Sequence, residues 1–185
     1  MRQLALMLLL ILHCSCSQGV DLEQLATPIA QLKSLAQDPV ITQSLLKYRQ
    51  QSLDLKELLE LDQQWSSHPQ LADDLLDPQV QRLFKEKLSI NPPLFVELIL
   101  MGDQGQTLGG VPITSDYWQG DEAKFKQTVM RENVYVGEID WDESSRTISA
   151  QISVPAWIDG KLEGVLTGAI EADLEALSKT QVDNY

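Results

Sequence analysis

The first half of the chain, residues 21–90, carries apolar residues at the spacing of amphipathic helices. Its opening stretch repeats them three and four positions apart, at Leu22, Leu25, Ile29, Leu32 and Leu35. This spacing predicts one apolar helix face. The pair Asp38-Pro39 interrupts the pattern, because the residue before a proline is pushed out of helical conformation. Apolar spacing resumes over residues 41–65, as one helix that is straight or bent near Ser52. Two shorter helices complete this half, at residues 70–76 and 78–88.

The second half, residues 94–180, changes to the composition and alternation of β-strands. Strands are predicted at residues 95–100, before Val111, and at 135–141, 147–157 and 161–170. Asp159-Gly160 between the last two is a strong hairpin signal, because both residue types tolerate the positive φ angles of a tight turn. Helices are predicted at residues 121–130 and 171–179.

A helical half followed by an antiparallel sheet with interspersed helices is an α+β pattern, here with about five strands closed by a C-terminal helix. The apolar fraction of 43% and the charged fraction of 22% are ordinary for a globular protein. We therefore expect one domain over residues 18–185, with its helical part at 21–90 and its sheet part at 94–180.

Residues 1–17 have the organisation of an export signal. Arg2 provides a positive start, residues 4–12 form an apolar run, and residues 15–17 are small. The run is too short to span a bilayer, which needs about 20 apolar residues. We expect an exported, periplasmic protein. Cleavage after Ser17 would remove both cysteines. Alternatively, Cys16 becomes the lipidated first residue of a lipoprotein, although His13 departs from that signal's usual aliphatic residue.

The formal net charge of −13 bears on the partners of the chain. So negative a protein is repelled by DNA, RNA and anionic membrane surfaces, and no nucleic-acid partner is expected. We find no hydrolase, metalloprotease or phosphate-loop motif, so no catalytic residue, metal site or cofactor is predicted. His68 is the one histidine outside the leader, and a solvated loop position is expected for it.

The candidate site is residues 114–122, TSDYWQGDE, where two aromatic rings stand beside three carboxylates. Tyr117 and Trp118 could stack on a ligand and hold a cationic group; alternatively, one ring plugs the core beneath the loop. Asp116, Asp121 and Glu122 could accept hydrogen bonds from an amine or a hydroxyl group. For the last two, stabilisation of a helix N-terminus is the alternative.

Two further candidates lie on the predicted strand at residues 147–157. Alternation places Gln151 and Ser153 on one face, where they would offer neutral polar contacts to a ligand. The acidic and aromatic cluster at residues 140–143 is instead expected to form a turn between strands.

Four segments resemble Cache domains, also called PDC sensor domains. They are residues 95–105 (FVELILMGDQG), 114–122, 150–155 (AQISVP) and 160–168, within a resemblance that covers about residues 40–180. The resemblance implies a PAS-like antiparallel sheet flanked by a long N-terminal helix, with a ligand cavity between sheet and loops. It also implies extracytoplasmic input to a membrane-bound sensor kinase, chemoreceptor or cyclic-di-nucleotide enzyme.

The expected function is that of a free-standing periplasmic domain that binds a small molecule and reports occupancy to such a partner. A neutral or cationic ligand is favoured, because the candidate loop holds three acids and no base. The alternative is a soluble or lipid-anchored solute-binding or interaction protein without signalling output. A signalling gene beside this one would favour the first interpretation, and a transporter or adhesin gene the second.

The leader generates the first testable prediction. We expect the exported protein to begin at Ser17 or Gln18 without any thiol, or at a lipidated Cys16. Intact-mass spectrometry separates the two, since the lipidated form carries the added mass of its acyl chains. Retention of residues 2–12 in the exported protein would contradict both.

Overall fold

The computed structural model describes residues 22–50 and 53–172. Six helices occur in these ranges: α1 (Leu22–Leu35), α2 (Pro39–Arg49), α3 (Leu55–Trp65), α4 (Gln70–Leu75), α5 (Pro78–Leu88) and α6 (Ala123–Arg131). The strands are β1 (Glu97–Gly102), β2 (Thr107–Val111), β3 (Tyr135–Asp142), β4 (Thr147–Ile158) and β5 (Lys161–Glu171).

Three helices of the first half begin at aspartates that satisfy otherwise unpaired backbone N–H groups. Asp38 and Asp77 each accept a backbone hydrogen bond and are followed by a proline in the first turn of α2 and α5. Asp54 opens α3 in a reciprocal capping box with Glu57. The segment predicted as one straight or bent helix instead contains two helices, because α3 has its own start signal.

The five strands form one antiparallel sheet in the order β2-β1-β5-β4-β3. The hairpin between β4 and β5 turns at Asp159 and Gly160, both of which have positive φ angles. Strand β5 pairs with β1 along its other edge, so β1, β5 and β4 form the centre of the sheet.

Alternation along the central strands sends side chains to two different layers. Leu98, Leu100 and Leu166 join the main core, which α1, α2 and α5 complete on one face of the sheet. Their neighbours Ile99, Met101 and Val165 point to the opposite face, where Phe125 of α6 packs on them. Helix α6 also contacts β3 and β4 on this second face, which we call the α6 face.

Residues 114–119, which we call the aromatic loop, are fastened to α3 by hydrogen bonds. Asp62 Oδ1 accepts from the backbone nitrogens of Tyr117, at 2.8 Å, and of Trp118, at 2.9 Å. The indole nitrogen of Trp65 donates to the carbonyl oxygen of Thr114 at 2.8 Å. The conformation of this loop therefore depends on a helix from the first half of the chain.

The predicted α+β class and the PAS-like antiparallel sheet of five strands are confirmed. Several element boundaries differ from the prediction by one or two residues; for example, β1 begins at Glu97 rather than at residue 95, and α6 begins at Ala123, after the N-cap Glu122, rather than at residue 121. The predicted C-terminal helix lies outside the described residues, apart from Glu171 and Ala172, the first of which ends β5. The leader and Cys16 also lie outside them. In the described ranges, no helix is both long and apolar enough to cross a membrane.

Asp62 provides a test of how the aromatic loop is held. Asp62→Ala leaves two backbone N–H groups without their acceptor, and we expect a loss of about 1–3 kcal/mol in the free energy of unfolding. Asp62→Asn keeps an oxygen at the same position and should lose less. Urea denaturation of both variants measures this difference, and equal stability of Asp62→Ala and the unaltered protein would contradict it.

Candidate functional site

An open groove lies on the α6 face, between the start of α6, strand β3 and the hairpin that joins β3 to β4. Its volume is about 430 Å³. Its lining comes from Ser115, Glu122, Ala123, Lys124, Tyr135, Gly137, Glu138, Asp140, Trp141, Asp142, Glu143, Ser144, Ser149 and Gln151. Five of these residues are carboxylic acids and one, Lys124, is basic. We call this cavity the acidic groove.

Beneath the lining of the acidic groove, next to Gln151, lies a buried carboxyl group on the central strand β1. Glu97 is fully buried, and its Oε2 atom accepts a hydrogen bond of 3.3 Å from Gln151 Nε2. The same nitrogen donates to Asp142 Oδ2 at 2.9 Å. One neutral amide group therefore serves two carboxyl groups. Within the described part of the chain, Glu97 Oε1 has no hydrogen-bond partner.

Lys124 supplies the positive charge of the groove, but it is already engaged. Lys124 is 7% exposed, and its Nζ atom lies 2.9 Å from Glu122 Oε2. Because Glu122 is the N-cap of α6 and its side chain caps no backbone group, its carboxylate is used by this ion pair instead. The acids of the groove thus outnumber their basic partner.

This environment changes the acidity of Glu97. Burial raises its pKa from 4.5 to about 7, and the carboxylate of Asp142 acts in the same direction. Lys124, Ser144 and Gln151 lower the pKa by a smaller amount. Glu97 consequently changes its protonation state near neutral pH. Strongly shifted pKa values of this kind cluster at functional sites.

The aromatic rings predicted as ligand contacts lie elsewhere in the fold. Tyr117 is 3% exposed and packs with Leu58, Leu76 and Trp65, whose ring centroid lies 5.3 Å from that of Tyr117. Burial raises the pKa of Tyr117 to about 12. The ring therefore occupies a small second core between α3 and the aromatic loop, and it does not line the acidic groove.

Trp118 is folded back on the turn between β1 and β2. Its indole nitrogen donates to the carbonyl oxygen of Gln104 at 2.8 Å. Its ring covers Gly120 so closely that a Cβ atom there would lie 2.5 Å from the ring. This arrangement uses the polar group of the indole in a contact that holds the loop.

The other five predicted residues divide between the groove and its surroundings. Glu122 and Gln151 line it. Asp116 and Asp121 are exposed and outside its lining. Ser153 is fully buried, where its hydroxyl group pairs with that of Thr167 at 2.7 Å. Ligand contact by the seven residues stays a prediction, and the geometry favours Glu122 and Gln151.

Residues 140–143, which were predicted to form a turn, contribute both to the turn after β3 and to the lining of the acidic groove. Asp142 Oδ1 accepts hydrogen bonds from the backbone nitrogen and the hydroxyl group of Ser145, which stabilises the turn after β3. Its other oxygen accepts the hydrogen bond from Gln151 in the lining of the groove. Trp141 is 52% exposed at the rim, with its indole nitrogen 3.2 Å from Glu143 Oε1.

Glu97, Asp142 and Lys124 are not among the site residues predicted from the sequence. A signal for Glu97 was present, since it is the one charged residue in the run FVELILM, at residues 95–101. A charge inside a strand buried on both faces requires a partner or a function. Among the described residues, no cluster of three or more His, Cys, Asp or Glu side chains is arranged to hold a metal ion.

No protein-family model matches the chain, and no curated sequence is similar to it. Similar solved structures include the ligand-binding domain of the amino acid chemoreceptor PctB of Pseudomonas aeruginosa PAO1 in complex with L-Gln, at 16% identity and a TM-score of 0.47, covering 85% of this chain and 51% of that chain. The sensor domain of DcuS from E. coli is 15% identical with a TM-score of 0.44, covering 85% of this chain and 94% of that one.

A third similar structure is the sensory domain of the Campylobacter jejuni chemoreceptor Tlp3 with isoleucine bound, at 15% identity and a TM-score of 0.43, covering 87% of this chain and 67% of that chain. The chain spans about half the length of the PctB domain. All three are ligand-binding or sensory domains.

The shifted pKa of Glu97 predicts how stability depends on pH. The folded state holds the proton of Glu97 up to about pH 7, whereas the unfolded state releases it near pH 4.5. This contribution to stability is therefore present below pH 4.5 and is lost as the pH rises through 7. Glu97→Gln has no such proton, so its stability relative to the unaltered protein should rise by about 3 kcal/mol over this range.

Urea denaturation of both proteins at about pH 4.5 and about pH 8 measures this change. Taking the difference between the two proteins at each pH removes the contributions of the other carboxyl groups. A difference that does not vary with pH would show that Glu97 titrates in its ordinary range.

Proposed function

We propose that this chain is a periplasmic sensor domain that binds a small molecule in the acidic groove and reports occupancy to a membrane-bound partner. The partner would be a sensor kinase, a chemoreceptor or a cyclic-di-nucleotide enzyme. The observation that carries the ligand-binding part is Glu97 beneath the groove, which is fully buried and has one carboxyl oxygen without a hydrogen-bond partner among the described residues.

A purely structural role accounts poorly for this buried carboxyl group. Burying a carboxyl group without full hydrogen bonding costs stability, and an apolar side chain at Glu97 would avoid that cost. The adjoining part of the same face shows the apolar solution, with Ile99 and Met101 packed under Phe125. The polar end of the face therefore has the character of a binding surface, where stability is lost in favour of recognition.

The charges around the groove support a neutral or cationic ligand. Five lining acids face one base, Lys124, whose Nζ is already paired with Glu122. A carboxylate ligand would add repulsion that grows as water is excluded. Glu122 and Gln151 are the contacts that the sequence also predicts, and Glu97, Asp142 and Lys124 join them in this proposal.

Reporting requires that ligand binding favours one conformation over another. The groove is built from α6, the β3–β4 hairpin and Ser115 of the aromatic loop, so a ligand in it touches three separate segments. The aromatic loop is in turn tied to α3 through Asp62 and Trp65. Occupancy would thus bias the position of the loop relative to the N-terminal helices, and the partner would recognise that arrangement.

A thermal-shift screen of small metabolites tests whether the groove binds a ligand. A ligand at about 100 times its dissociation constant should add about 2.7 kcal/mol of stability. Gly137 offers a matched pair of variants, because a Cβ atom there would meet its nearest neighbour at an unstrained 3.5 Å. Gly137→Leu should obstruct the groove and abolish the shift, whereas Gly137→Ala should retain it. A ligand that stabilises both variants equally would place its site elsewhere.

A further inference from the structure

We propose that the acidic groove recognises an ammonium group at Asp142, which shares the Gln151 amide with the buried Glu97 beneath it, and that binding displaces the proton of Glu97, so that affinity falls in acid. This inference rests on the proposed function, for which it names the ligand chemistry and a pH dependence. It places the recognition beside two carboxyl groups of the sheet rather than at the aromatic loop.

The oxygens of Glu97 and Asp142 have few donors: Ser144 acts on Glu97 as a hydrogen-bonding neighbour, and Ser145 donates to Asp142 Oδ1. Gln151 Nε2 is shared between Glu97 Oε2, at 3.3 Å, and Asp142 Oδ2, at 2.9 Å. Glu97 Oε1 receives no hydrogen bond from the described residues. An ammonium group carries up to three N–H donors and no acceptor, which is the complement of these oxygens. Charge-assisted hydrogen bonds to carboxylates are also stronger than neutral ones.

The surroundings of Glu97 are also poor in positive charge. The charged groups that act on Glu97 are Asp142, at the end of β3, and Lys124, on α6. Lys124 is shared with Glu122, which precedes α6, at 2.9 Å. Strand β4 presents the neutral Gln151, and β5 pairs Glu97 with Ala169. No element packed against Glu97 in the described structure therefore brings it a cation of its own, and a ligand can supply one.

The proton of Glu97 links this recognition to pH. In the empty groove its pKa is about 7, and a bound cation would lower that value because it favours the charged form. At about pH 6 most protein molecules must release the proton of Glu97 before or during binding. At about pH 8 most protein molecules have already released it. For a pKa of about 7 in the free protein, affinity should be about tenfold lower at about pH 6 than at about pH 8.

Four-carbon compounds that differ in their end groups test the charge of the ligand. Putrescine carries an ammonium group at both ends, aminobutanoate an ammonium and a carboxylate, butanediol two hydroxyl groups, and succinate two carboxylates. Aliphatic ammonium groups stay protonated throughout this pH range, since amines of this type have a pKa near that of lysine, about 10.4. Any pH dependence therefore comes from the protein. We expect calorimetry to detect binding of the ammonium compounds and not of butanediol or succinate.

The two ammonium compounds separate two sources of the same chemistry. Tighter binding of putrescine indicates a polycation, and the remaining acids of the groove would hold its second charge. Tighter binding of aminobutanoate indicates a zwitterion whose carboxylate draws Lys124 away from Glu122. Either result supports recognition of an ammonium group beside Asp142 and Glu97, provided that affinity is also about tenfold lower at about pH 6 than at about pH 8.

Glu97→Gln tests the proton linkage directly. The variant should bind the preferred ammonium compound more weakly at about pH 8 and should lose the tenfold change between about pH 6 and about pH 8. Glu163→Gln is the matched control: Glu163 is also a buried glutamate of this sheet, but it is paired with Arg49 and Lys161 away from the groove. It should keep the full pH dependence, with unfolding midpoints confirming that both variants fold.

The results that overturn this inference differ from those that overturn the proposed function. Tighter binding of succinate or butanediol, or unchanged pH dependence in Glu97→Gln, contradicts the ammonium assignment while leaving the groove as a ligand site. The ammonium assignment is also contradicted if neither ammonium compound binds at millimolar concentration. The groove remains a ligand site in that case if the metabolite screen finds a ligand that Gly137→Leu excludes. If that screen also finds no ligand, both the ammonium assignment and the proposed function are rejected.

Discussion

The central strands are covered on both faces, and this constraint determines where a binding site can form. On one face, α1, α2 and α5 bury the large apolar core. On the other face, α6 is nine residues long, and its Phe125 packs over Ile99, Met101 and Val165. The rest of that face carries Glu97, Gln151 and Ser153 instead. The acidic groove lies beside the first residues of α6, where the polar part of the sheet begins.

The two faces of the sheet differ in polarity. The main core supplies the apolar burial that dominates folding, so the opposite face can carry groups that reduce stability. Ser153 and Thr167 satisfy each other. Glu97 shares the Gln151 amide with Asp142, which also accepts two hydrogen bonds from Ser145. Glu97 Oε1 is one of several buried polar atoms without a hydrogen-bond partner in the described structure, and its neighbour Gln151 lines the groove. Binding sites often retain such groups, because a ligand that satisfies them gains affinity from the same free energy.

Local signals in the sequence were sufficient for most of the fold. The spacing of Leu25, Ile29 and Leu32 predicts α1, and Asp159-Gly160 predicts the last hairpin, because each depends on neighbours within a few residues. The site was harder to predict. The loop composition indicates aromatic rings beside acids, but Tyr117 faces Trp65, which lies far away in sequence. Ser153 is likewise satisfied by Thr167 on another strand. Such pairings follow from tertiary contacts that alternation and spacing do not encode.

The aromatic loop connects the groove to the helical half of the chain, which gives its rings a structural purpose. Tyr117 and Trp118 anchor the loop in the small second core and on the β1–β2 turn, while Ser115 of the same loop reaches the groove. Asp62 holds both aromatic backbone nitrogens. A ligand that displaces Ser115 must therefore either move α3 with the loop or break hydrogen bonds at Asp62. Because broken backbone hydrogen bonds in a partly buried position are costly, the coupled movement of loop and helix is the less costly response.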